Sequence, residues 1–72
     1  MKDIVINGIY RHYKGNIYRV LNIAKHTETL EDLVIYMAMY GENKIWARPL
    51  SMWNEEVYLN GKKIKRFELI KG

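Results

Sequence analysis

"TLEDLVIYMAMY", residues 29–40, decides the fold because it reads two ways. As a helix, it lines up Leu30, Leu33, Val34 and Met37 as an apolar stripe, with Thr29 placed to cap it. As a strand, it holds the consecutive β-formers Leu33-Val34-Ile35-Tyr36, with Gly41 directly after Tyr40. The strand reading is preferred, over Leu33–Tyr40, and the rest of the chain agrees with it.

Turn signals recur on both sides, at Asn7-Gly8, Lys14-Gly15-Asn16, Gly41-Glu42-Asn43 and Asn60-Gly61. Between them lie short runs rich in Ile, Val and Tyr, the pattern of a small all-β domain. The remaining predicted strands are Ile9–Tyr13, Ile17–Lys25, Ile45–Arg48, Glu55–Leu59 and Lys62–Leu69. Asn60-Gly61 is the clearest turn, since both residues tolerate the positive φ that a two-residue type I′ hairpin needs. Pro49 ends one strand and suits the start of a short helical turn, Pro49 to Trp53. The expectation is an all-β, SH3-like small barrel of five or six short antiparallel strands with one short helical turn, a single domain over residues 1–72. Such a fold label carries no chemistry.

A chain of 72 residues buries only about 60% of the surface its unfolded form exposes, so its core is thin. Trp46 and Trp53 read as core or plug residues, because each aromatic ring buries about 150–250 Å². In the first hairpin the preferred register sets Arg11 across from Tyr18, a cation–π contact, rather than across from Arg19, where like charges meet.

Twelve Lys and Arg against eight Asp and Glu give a net charge of +4, which permits nucleic-acid contact without demanding it. The basic run "KKIKR", Lys62–Arg66, is the strongest such signal. The Asn60-Gly61 hairpin weakens it, by setting Glu56 opposite Lys65 and Glu55 opposite Arg66. The chain has no cysteine, hence no disulfide and no thiolate zinc site. His12 and His26 share no metal-binding spacing, and an extended strand separates them by more than about 20 Å unless it folds back sharply. No metal and no cofactor is expected. The amino-terminal stretch lacks the long apolar run of a signal peptide or membrane span, so a cytoplasmic protein with no membrane contact is expected.

The search for catalytic residues narrows to "KHTETLED", residues 25–32. There His26 and Glu28 share one face of an extended chain, and a carboxylate beside an imidazole raises its pKa. The same letters describe a polar turn in which Thr and Asp bond their own backbone. No Gly-rich phosphate cradle and no serine motif is present, and an enzyme is not expected.

The stretches "GIYRHYKGNIYRVLNIAKHTETLEDLVIYMAMYG", "WARPLSMW" and "KRF" resemble a bacterial family of small domains of unknown function, domain of unknown function 1653. Its pattern is G-x-Y-R-H-Y-K-G, then A-R/K-H-S/T-E-T-L-E, V-x-Y, W-x-R-P-L-x-M-F and P-R-F. The resemblance runs from Gly8 to about Phe67. Trp53 stands where the family usually has phenylalanine, and Lys65 where proline is usual. The resemblance marks Arg11, His12, His26, Glu28, Thr29, Tyr36, Arg48 and Arg66 as candidates for a shared binding surface, or for a buried polar network that keeps the sheet in register. It implies no activity.

These readings favour a non-catalytic binding module. Its partner is left open by the sequence: an exposed sheet edge is open to a protein or peptide by strand addition, and the net charge is compatible with weak nucleic-acid contact. The alternative is an RNA- or single-stranded-DNA-binding domain using Arg11, Lys14, Arg19, Tyr36 and the Lys62–Arg66 face. The weakest of the three is a small enzyme built on His26 and Glu28.

Overall fold

A computed structural model describes residues 4–72. The ambiguous segment is a strand. The elements are β1 (Ile9–His12), β2 (Ile17–Lys25), β3 (Asp32–Ala38), β4 (Ile45–Pro49), α1 (Leu50–Trp53), β5 (Glu56–Leu59), β6 (Lys62–Lys65) and β7 (Phe67–Lys71). β1, β2, β3, β4 and β7 form one sheet in the order β4-β3-β2-β1-β7, and β5 and β6 form a separate hairpin. All pairings are antiparallel.

Two features depart from the expected barrel. The larger sheet does not close on itself; β4 and β7 are its free edges among the described residues. The long last strand is cut in two at Arg66, giving seven strands instead of five or six. The cut has a plain backbone cause. The Arg66 N–H donates to the Glu55 carbonyl beside the hairpin, and the Arg66 carbonyl accepts from the Tyr13 N–H beside the larger sheet. One residue thus transfers the chain from one sheet to the other.

The β5–β6 hairpin keeps its expected register, with Val57 opposite Ile64 and Glu56 opposite Lys65. Asn60 and Gly61 both have positive φ, 53° and 80°. The first hairpin is different. Arg11 pairs with Ile17, Tyr10 with Tyr18 and Ile9 with Arg19, so neither Tyr18 nor Arg19 faces Arg11. This register turns Tyr10 and Tyr18 inward together, which buries more ring surface than an exposed cation–π contact offers.

The inward face explains the pairing. Tyr10, Val20, Val34, Tyr36, Ala38, Trp53 and Phe67 are the buried apolar residues, and four of the seven are aromatic. Alternation along β3 places Val34, Tyr36 and Ala38 on this face. β2 reaches the same face through a bulge at Leu21. Val20 pairs with Tyr36 and Ile23 with Val34, although three residues separate Val20 from Ile23. The extra residue restores the phase, so both pack inward.

α1 is a single turn that drives Trp53 into the core. Trp46 does not join it: it pairs with Tyr36 on the same face but sits on edge strand β4 and stays 50% exposed. Its expected core role is therefore wrong, because among the described residues no further strand pairs with β4. Among the described residues, no helix is long and apolar enough to cross a membrane.

Candidate binding site

The site is built on one stacked pair. Trp53 and Phe67 lie parallel with ring centroids 3.8 Å apart. Tyr10 and Tyr36 meet the Trp53 indole edge-on at 5.4 and 5.0 Å. Tyr18 meets Tyr36 edge-on at 5.3 Å. The edge-to-face geometry sets the positive rim of one ring against the negative face of the next.

Three cationic or titratable groups gather around this aromatic floor. The Arg48 guanidinium carbon sits 5.5 Å from the Phe67 ring centre, and its Nε–H donates to the Tyr36 hydroxyl at 3.4 Å. The His12 ring stands edge-on to Phe67 at 5.0 Å. Arg66 directly precedes Phe67 and reaches Glu55 Oε1 at 3.2 Å, while its Nε is buried without a partner. The placement follows from strand phase. His12 is Phe67's cross-strand partner, and Arg48 is Val34's, so both point to the core face at its open end.

The electrostatics are one-sided. Burial lowers the His12 pKa below 6.5, and Arg66, Arg48 and Lys14 lower it further. His12 is therefore neutral near pH 7. Its Nδ1 accepts the Lys14 backbone N–H at 3.2 Å, which leaves the proton on Nε2. At the far side the Tyr18 and Tyr40 hydroxyls lie 2.9 Å apart. Burial raises the Tyr18 pKa, and the Tyr40 hydroxyl adds to the effect. The Tyr18 phenol stays protonated near pH 7. What this surface offers is N–H and O–H donors, positive charge and ring faces.

The family profile described as "Protein of unknown function (DUF1653)" matches residues 8–69. The chain belongs to this family. A crystal structure of a protein belonging to DUF1653 from Bordetella bronchiseptica is similar over 93% of this chain and 88% of that one, at 35% identity and a TM-score of 0.83. The comparison with curated proteins finds no match.

The eight candidate residues separate into three places. His12, Tyr36, Arg48 and Arg66 come together around Phe67. Arg11 points to the opposite face and pairs with Glu68 at 3.4 Å, beside a cleft of about 260 Å³ that His12 also borders. His26, Glu28 and Thr29 form the turn between β2 and β3. There the His26 Nδ1 accepts the Glu28 N–H at 3.0 Å and the Thr29 N–H at 3.4 Å. Thr29 Oγ1 donates to Glu31 Oε1 at 3.2 Å.

His26 bonds across the turn to Glu31, and Arg48 lies opposite Val34 on β4. Among the described residues no hydrogen bond or ion pair joins the Glu28 carboxylate to the His26 ring, and no three His, Asp or Glu side chains gather as a metal-holding group. Phe67, Trp53 and Tyr18 were not among the candidates. The "KRF" stretch pointed to Phe67, but only the fold shows that it floors the site.

Proposed function

We propose that this chain is a non-catalytic binding module whose ligand is an anion, held at the His12–Arg48–Arg66 end of the aromatic face. The observation that carries the reading is the convergence of Arg48 and His12 on Phe67, with the Arg66 charge acting on the His12 ring and Glu55 pairing with Arg66. Guanidinium groups give fixed, forked donors suited to carboxylate or phosphate oxygens. The His12 Nε2–H adds a third donor. An arriving anion offsets the two arginines and stabilises the imidazolium, so binding raises the His12 pKa and tightens as pH falls.

The basic run at the carboxyl end is a poorer place for an anion. Its lysines lie on β6 across from β5, where Glu56 pairs with Lys63 at 3.4 Å and takes up part of their charge.

The test is a titration of the His12 imidazole by NMR, with and without inorganic phosphate, at two ionic strengths. Phosphate should move the His12 resonances and raise their midpoint, less so at high salt. Arg48→Gln should abolish the shift. A His12 midpoint that ignores phosphate would end the proposal.

A further inference from the structure

Arg48 has an aromatic neighbour that the core does not use. Trp46 lies two residues away on β4 and therefore shares its face. Its cross-strand partner Tyr36 is buried at 6%, yet Trp46 itself is 50% exposed. Trp46, Tyr40 and Lys44 line a cleft of about 330 Å³ over Ala38. Tyr40 is 46% exposed, and its hydroxyl is tied to the Tyr18 hydroxyl, which fixes the ring beside the cleft. The carboxylate lining the cleft, Glu42, lies 3.8 Å from the Lys44 ammonium.

The half-exposed indole and the tethered phenol thus leave ring surface open to solvent on one cleft. Two residues of strand, about 6.6 Å along the backbone, separate Trp46 from Arg48 on this face. A nucleobase and its own phosphate are held apart by one sugar, a separation of the same order. β4 is the edge of the sheet, so nothing among the described residues encloses the far side of the cleft. A chain can run past it, as on the open stacking platforms of proteins that hold single strands.

We infer that Trp46 and Tyr40 stack a nucleobase while Arg48, Arg66 and His12 take the adjoining phosphate, which makes the anionic ligand a single-stranded nucleic acid. This inference rests on the anion reading above and adds the base. It moves the contact from the lysines of β6 to the β3–β4 edge, keeping Arg66.

The test uses the intact protein and its own fluorescence, since Trp46 is exposed and Trp53 is buried. Three probes are compared at low salt: an oligothymidylate of about eight nucleotides, an abasic strand of equal length, and thymidine monophosphate. The oligothymidylate should quench the emission and bind about ten-fold or more tightly than the abasic strand. Followed by the anisotropy of end-labelled strands, which does not need the indole, Trp46→Ala should erase that difference. Equal binding of base-containing and abasic strands by the unaltered protein overturns the inference and leaves the anion reading standing. Failure of both strands to bind overturns both. Thymidine monophosphate binding as tightly as the strand shows a closed nucleotide site and overturns the strand assignment.

Discussion

The indole of Trp53 lies flat on the ring of Phe67, 3.8 Å away, although thirteen residues, including a whole hairpin, lie between them in the chain. The contact ties the single turn of α1 to the first residue of β7. It also fixes the floor on which Arg48 and His12 rest. Removing one ring from so small a core leaves a cavity that few neighbours can fill. Phe67→Ala should cost about 3–5 kcal/mol in urea denaturation, enough to threaten folding. Trp53→Phe keeps a ring on the stack and should cost clearly less. Equal losses for the two variants would show that the stack is not what holds α1 down.

Stability should depend on pH through His12. The unfolded chain takes up a proton at about the ordinary value of 6.5, while the folded chain resists it through burial, then Arg66, Arg48 and Lys14. Between the folded midpoint and 6.5 the unfolded state binds more protons. The His12 contribution is therefore complete above pH 6.5 and is lost as pH falls through that window. Urea midpoints taken on either side of pH 6.5 should drop on the acid side, and His12→Gln should flatten that drop. An unchanged slope in the variant would assign the effect to other groups.

Gly8 is required for space. A Cβ there would sit 2.9 Å from the Val5 carbonyl oxygen and 3.1 Å from Leu69 Cδ1. The oxygen is backbone and accepts the Gly8 N–H, so it cannot easily withdraw. Gly61 is required for conformation, with φ of +80° and open space around it. Gly61→Ala should cost about 1–2 kcal/mol from the left-handed backbone alone. Gly8→Ala should cost about 1–3 kcal/mol and should also shift the amide resonances of Val5, Leu69 and Val20, which Gly61→Ala leaves in place.

Arg11 and Arg48 should behave oppositely. The Arg11–Glu68 pair is exposed, with side chains 52% and 65% accessible, so Arg11→Ala should change stability by less than about 1 kcal/mol. Tyr36→Phe removes the hydroxyl that accepts from Arg48 Nε while keeping the buried ring. It should cost about 0.5–1.5 kcal/mol. It should also weaken the phosphate response of His12, because Arg48 loses its anchor. A full phosphate response in Tyr36→Phe would show that the Phe67 ring alone positions Arg48.

Local rules were enough to read much of this chain. Alternating β-formers and Asn-Gly turns placed the strands, and β2 was predicted with its observed ends, Ile17 and Lys25. The β5–β6 register followed from a two-residue turn, since so short a loop leaves one pairing. His12, Tyr36, Arg48 and Arg66 were marked by the family resemblance and not by any local rule. Tertiary structure decided the rest. The Tyr10–Tyr18 register, the bulge at Leu21 and the break at Arg66 each answer to packing between distant segments, which no local window contains. Trp46 and Trp53 show the limit most clearly: both are tryptophans in apolar surroundings, and only the position of β4 at a sheet edge leaves one in solvent and the other in the core. Burial depends on what lies across the sheet, and the chain order does not state that.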